Sequence, residues 1–342
     1  MIAPFAEFAG LLLIIFVCSL AMSLAVERLA DRWGANFTGS ILLGLVTVLP
    51  EYLFVFWAIQ KGAVETDLSE TSHYYGMAIG SVCGAAAMLV TLGYGLVILT
   101  STSRFSRKPV KTIELSSTTR IDAVYLFATA VIAVVLGLIG NGLGMIDAAI
   151  LTVVYLGYAI HLYWDARQKS RKQAESGHRT PVLWPLIVLL ICGIVVLVVS
   201  KPFVVSMKGI ATVLGVSPLA IAVILSPIAS EMPEKLTAFL TVRRDGKLAE
   251  ISVCNFMGSK VNHNSLLLAM MPLVVLIYAK DGFFPGIVVP AFWMMTGLTL
   301  LAGFSLSLGR LRHWQGWFFI SLFLLQILIA FAFPDSPLVV GH

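Results

Sequence analysis

The sequence predicts an all-α polytopic membrane protein, with ten transmembrane helices in two inverted five-helix repeats. Three observations carry that prediction. The 342 residues are 58% hydrophobic and only 12% charged, with a mean hydropathy of +0.93; soluble chains average ~25% charged. Apolar runs of about 20 residues, enough to cross a bilayer, recur from one end to the other. Two matching motifs then divide the chain into comparable halves. A soluble enzyme, a nucleic-acid binder and a disulfide-stapled secreted scaffold are excluded by the same composition.

Hydropathy and loop composition place the spans at 8–26, 38–60, 74–100, 121–140, 144–164, 182–205, 211–242, 251–279, 285–308 and 314–333. The first follows MIAPFAEFAG, which lacks the positive n-region of a signal peptide, so it is expected to be retained. Five loops (27–37, 101–120, 165–181, 243–250 and 309–313) carry 17 of the 23 Lys and Arg, against four on the opposite side. Positive charge accumulates on cytoplasmic loops, so both termini are expected outside the cytoplasm. Residues 1–164 form the first repeat, 165–181 a basic cytoplasmic linker, and 182–342 the second repeat. Cys18, Cys83, Cys192 and Cys254 fall within or at the edge of apolar runs without metal-type spacing and are expected as small hydrophobes. Lys235 and His161, at span edges, are expected as interfacial anchors.

The halves match through Thr47-Val48-Leu49-Pro50-Glu51 in span two and Ser230-Glu231-Met232-Pro233-Glu234 in span seven. Each is followed, 29 or 24 residues later, by Gly-Ser: Gly80-Ser81 and Gly258-Ser259. Span two of one half thus corresponds to span two of the other. Five is odd, so the second half enters from the opposite side, which is the pattern of inverted-repeat secondary transporters with a midplane site.

A carboxylate at mid-bilayer costs ~2.5–3.5 kcal/mol, so two at matching positions point to function rather than helix bracing alone. Pro50 and Pro233 cannot donate to the carbonyls of Val46 and Ala229, and a freed carbonyl at membrane depth needs another partner or a cavity. Thr47 and Ser230 precede the glutamates by four residues, so each pair is expected to share one helix face. Carboxylate, carbonyl and hydroxyl oxygens suit hard cations, and calcium takes ~6–8 of them. Glu51 and Glu234 are the expected metal ligands, with Thr47, Ser230, Ser81, Ser259, Asn255 and Glu231 as supporting ligands. Glycines 76, 80 and 84 are expected to let span three pack closely.

The segments LGVSPL (214–219), SPIASEMPEK (226–235) and CNFMGSKVNH (254–263) resemble the second α-repeat of the calcium/cation antiporter superfamily, which includes the sodium/calcium exchangers. LVTVLPE (45–51) and YGMAIGSVCGA (75–85) resemble the first. The resemblance implies that Glu51 and Glu234 bind the transported ion. Against the family pattern GTSxPE and GSN-x-x-N/D, Val48 and Glu231 replace the serine before the glutamate. Val82 and Lys260 follow Gly-Ser, and Ala85 and His263 replace the final Asn or Asp. Lys260 and His263 are candidates for coupling or gating: an inward lysine would compete with a cation or pair with Glu231 or Glu234, and an imidazole suits a proton relay.

The expected function is secondary antiport of cations, calcium against sodium or protons, by alternating access. No cofactor is expected beyond the transported ions, and no nucleic acid or obligatory protein partner beyond the bilayer. Two rivals remain: a proton-coupled transporter of another cation or solute with Lys260 as a built-in cation, and a non-transporting relative. Without an HExxH motif or a nucleophile–base pair, an enzyme is not expected. A bacterial-type inner membrane or a plasma membrane is the expected location.

Overall fold

A computed structural model describes residues 2–33, 47–173 and 183–333. Eleven helices carry almost all of it: α1 (Ile2–Trp33), α2 (Leu49–Ala63), α3 (Leu68–Ser101), α4 (Ser117–Gly140), α5 (Met145–Gln173), α6 (Leu183–Leu214), α7 (Pro218–Ser230), α8 (Met232–Arg244), α9 (Gly246–Ala279), α10 (Pro290–Ser307) and α11 (His313–Ala332). Among the described residues, eight of these are long and apolar enough to cross a membrane; α2, α7 and α8 are not.

The shortfall has a physical cause in each case. The expected span 211–242 is two 13-residue helices, α7 and α8, separated by Glu231 alone. Each is about 20 Å long at 1.5 Å per residue, too short for a ~30 Å hydrocarbon core. Pro233 stands in the first turn of α8, where proline is tolerated because the first N–H groups have no helical acceptor. Residues 211–214 belong instead to the long α6. In the expected span 38–60, α2 begins at Leu49 with Pro50 in its first turn, and residues 38–46 lie outside the described residues, Val46 included. Both prolines therefore open helices rather than kink them. The boundary at 164 also shifts: α5 runs on to Gln173, so the first part of the expected linker is helical, and 174–181 lies outside the described residues.

Two helices cross the core with a π-helical turn inside them, Leu89–Gly93 in α3 and His263–Leu267 in α9. Such turns cluster at functional sites. Helix α3 packs along α7 and α2, and α1 along α6. Two short antiparallel ribbons tie loops together: β1 (Thr112–Glu114) pairs with β4 (Arg310–Arg312), and β2 (Gly142–Leu143) with β3 (Phe284–Pro285). Large apolar side chains lie exposed along α4, α5, α6 and α11, as lipid-facing surfaces require. The buried interior belongs to α2, α3, α7 and α9.

The meeting of α3 and α7 is backbone on backbone. A Cβ on Gly80 would stand 2.5 Å from the carbonyl oxygen of Leu219, and one on Gly84 would overlap the Val223 carbonyl. Pro227, inside α7, removes the N–H that Val223 would have bonded. Glycine 84 thus fits against a carbonyl that its own helix leaves unused. Small residues permit this approach in the absence of a hydrophobic driving force between membrane helices.

Candidate functional site

The close α3–α7 contact sets two serines side by side. Ser81 lies on α3 and Ser226 on α7, with their hydroxyls 2.5 Å apart. Both reach Glu51, in the first turn of α2. Ser81 donates to its Oε1, Ser226 lies 3.4 and 3.3 Å from its two oxygens, and Ser230 donates to its Oε2 at 2.7 Å. Glu51 is fully buried. Three hydroxyls hold one carboxylate, two of them from the opposite half of the chain.

Glu234, in the first turn of α8, is also buried. Asn255 of α9 donates to its Oε1 at 2.8 Å and Ser259 at 3.3 Å. Its remaining hydroxyl partner is Thr47, from the turn before α2. Sequence spacing suggests that Thr47 and Glu51, and Ser230 and Glu234, share a helix face. The structure corrects this: a helix start, at Leu49 in one half and at Met232 in the other, falls between hydroxyl and carboxylate, and each hydroxyl serves the glutamate of the other half. Ser81 and Ser259 bond to the glutamates of their own halves, Glu51 and Glu234, instead of bonding back to their own helices.

Glu231, an expected supporting ligand, is ion-paired within its own helix pair. Lys235 donates to its Oε2 at 2.7 Å, and both side chains are buried. The ammonium also lies 5.6 Å from the Phe256 ring centre, within cation–π range. Lys235, expected at the interface, is therefore interior, because a buried carboxylate one turn away supplies the counter-charge. Lys260 is fully buried too, but its ammonium donates to Asn264 at 2.5 Å. Among the described residues, no hydrogen bond or ion pair links it to Glu51, Glu231 or Glu234. His263 Nδ1 lies 2.6 Å from the Ser259 carbonyl and its Nε2 3.6 Å from Glu231 Oε1.

Sequence reasoning missed Ser226, Lys235 and Tyr52, whose hydroxyl donates to Asn262. Ser226 was within reach: it precedes Ser230 by four residues on α7, and Ser230 itself bonds back to the Ser226 carbonyl at 3.1 Å. Among the described residues, no cluster of three or more His, Cys, Asp or Glu has metal-holding geometry. The oxygen-rich surround of Glu51 and Glu234 instead draws mainly on hydroxyls, with one amide.

The sequence profile of the sodium/calcium exchanger protein family matches residues 4–164 and 184–332. The chain belongs to that family. Among curated protein sequences, none matches it. Three solved exchanger-fold structures place the family architecture around it. A structure titled H+/Ca2+ exchanger CAX superposes with a TM-score of 0.77 at 21% identity, covering 96% of this chain and 84% of that one. The sodium–calcium exchanger NCX_Mj, in a structure soaked with Na+ and Sr2+, gives 0.64 at 22% identity, covering 96% and 98%. Native YfkE gives 0.71 at 18% identity, covering 95% and 92%. At these identities the likeness is one of fold. As a member of this family the chain is a polytopic integral membrane protein, and its relatives are transporters rather than enzymes.

Proposed function

We propose that this exchanger-family chain is a secondary active cation antiporter, taking calcium at a site between Glu51 and Glu234 and exchanging it for sodium or protons by alternating access. The observation that carries the reading is the crossed bracing. Glu51 receives hydroxyls from Ser81, Ser226 and Ser230, while Glu234 receives Thr47, Ser259 and the Asn255 amide. Hydroxyls that now donate to a carboxylate turn lone pairs to a cation when one arrives. Together with the carboxylates they supply the ~6–8 hard oxygens that calcium takes.

In this reading, α2 and the α7–α8 pair are membrane segments as well, which brings the total to ten in two inverted sets of five, with both termini outside the cytoplasm. The proline-led helix starts at Leu49–Pro50 and at Met232–Pro233 correspond between the halves, as in transporters built from inverted repeats. Empty, the two buried carboxylates are costly to carry across the membrane, so calcium leaves only as a counter-ion replaces it. One similar structure is that of an H+/Ca2+ exchanger and another that of a sodium–calcium exchanger, which supports the cargo and keeps both counter-ions in play.

The rival with Lys260 as a built-in cation draws little support, since its ammonium engages Asn264 rather than a carboxylate. The test is calcium uptake into proteoliposomes under imposed sodium or proton gradients. Uptake driven by either gradient, and abolished by Glu51→Gln or Glu234→Gln, is expected. Robust uptake by both variants would refute the site, and absence of uptake with no calcium-dependent stabilisation would point to a non-transporting relative.

A further inference from the structure

We propose that Lys235 is a tethered cation: its ammonium fills a second cation position, on Glu231, so that this position takes no ion from solution. The assignment builds on the two-glutamate reading for the neighbouring site, while the lysine's own place follows from geometry. Glu231 is the single residue between α7 and α8. Its neighbours Ser230 and Glu234 belong to the site, and it lies within electrostatic range of both Glu51 and Glu234. Half-helix C-terminal ends near the midplane are where transporters coordinate cations, and Glu231 adds a buried carboxylate to the end of α7. Here the chain supplies the positive charge itself.

The pocket around that charge is half closed. Glu231 Oε2 takes the ammonium at 2.7 Å, and the Phe256 ring covers it. Glu231 Oε1 has no hydrogen bond, although the residue is fully buried. Opposite it, at 3.6 Å, stands His263 Nε2, equally buried and equally without a hydrogen bond. A carbonyl only accepts, so His263 Nδ1 carries the proton it shares with the Ser259 oxygen. In the neutral imidazole Nε2 then turns a lone pair toward Glu231. Two buried acceptors facing each other form an edge that favours positive charge. An ion pair serving only to hold the helix break would satisfy both carboxylate oxygens; this one leaves a cation-seeking edge beside the lysine. Replacing the ammonium with a neutral chain of similar length exposes a carboxylate and an imidazole to an incoming monovalent ion.

The experiment compares the purified full chain with Lys235→Met and with Lys235→Met/Glu231→Gln. Thermal unfolding is followed in sodium, potassium or choline chloride at constant ionic strength. Lys235→Met is expected to gain a saturable stabilisation by sodium or potassium, beyond any response of the unmodified chain, that Glu231→Gln cancels. At ten times its dissociation constant such an ion raises the folded-to-unfolded ratio about 11-fold. No gain over choline, or a gain that survives Glu231→Gln, overturns the proposal. Should Lys235→Met fail to fold in choline, recovery of folded protein in sodium or potassium supports it, and recovery in neither overturns it. A calcium response missing from the unmodified chain, alongside a monovalent response in Lys235→Met, would sink the two-glutamate site and leave Lys235 as assigned. The converse result would do the opposite.

Discussion

Glycine 84 offers the sharpest test of how the site is held. An ordinary carbon–oxygen contact is ~3.3 Å or more. The Cβ of Gly80→Ala would meet the Leu219 oxygen at 2.5 Å, so α3 must retreat by about 0.8 Å, and Gly84→Ala demands more because its overlap with the Val223 carbonyl is deeper. Backbone opposes the new methyl at both positions, and no flexible side chain can swing aside. Overpacking of this kind costs ~1–3 kcal/mol, offset by the ~1 kcal/mol that alanine gains over glycine within a helix. The net expectation is a loss of up to about 2 kcal/mol, with Gly84→Ala the worse. Gly157, Gly209 and Gly297 have nothing within 4 Å of an added Cβ, so the same substitution there should stabilise by up to ~1 kcal/mol. Thermal unfolding followed by tryptophan fluorescence measures all five. Because Ser81 follows Gly80 directly, the retreat also parts it from Ser226, and calcium affinity should fall together with stability. Equal shifts for Gly84→Ala and Gly297→Ala would refute the reasoning.

Three further outcomes follow from particular contacts. Ser226→Ala removes a hydroxyl within reach of both Glu51 oxygens and should weaken calcium binding by about 1 kcal/mol, close to fivefold, read by calorimetry; an unchanged affinity removes Ser226 from the site. Tyr52→Phe takes a hydrogen bond from Asn262 and should lower stability by ~0.5–1.5 kcal/mol without changing calcium affinity, so a large affinity loss would make Tyr52 part of the site. Cys18 of α1 and Cys192 of α6 are close neighbours, so a short thiol cross-linker should join them with calcium uptake retained; loss of uptake would show that α1 and α6 move apart during the cycle.

Most of the fold was legible because membrane burial leaves a coarse signal. Eight apolar segments stand where hydropathy puts them. The breaks were harder to place. Pro233 signals an interruption, but hydropathy averages over α7 and α8 and reads one long span. Within the site, residue types were legible and partners were not. Glu51, Glu234, Ser81 and Ser259 announce themselves as oxygen donors in an apolar sequence, while the exchange of hydroxyls between halves depends on a tertiary approach that spacing cannot encode. Lys235 shows the same limit. Four residues from Glu231 and next to Glu234, it looks like an anchor at a span edge, and only the packing of Phe256 and His263 makes its place interior.

The crossed bracing also bears on what moves during antiport. Ser230 with Glu51 and Thr47 with Glu234 stitch the first half to the second through buried, charge-assisted hydrogen bonds, worth ~1.5–3 kcal/mol each. Sliding the halves past one another would break them all at once, in a medium with no water to replace them. The weaker seam runs along α6, which is mostly exposed and packs chiefly on α1. Its polar ties to the core include the ion pair of Lys208 with Glu70 on α3, backed by the Tyr74 ring 4.6 Å from the ammonium, and Lys201 over the Trp57 ring of α2 at 5.0 Å. The ion pair is partly solvent-exposed, and exposed pairs typically contribute less than ~1 kcal/mol. Under the antiport reading, α1 and α6 therefore move as one against a fixed core of α2, α3, α7, α8 and α9, and the two glutamates keep their partners as access changes sides.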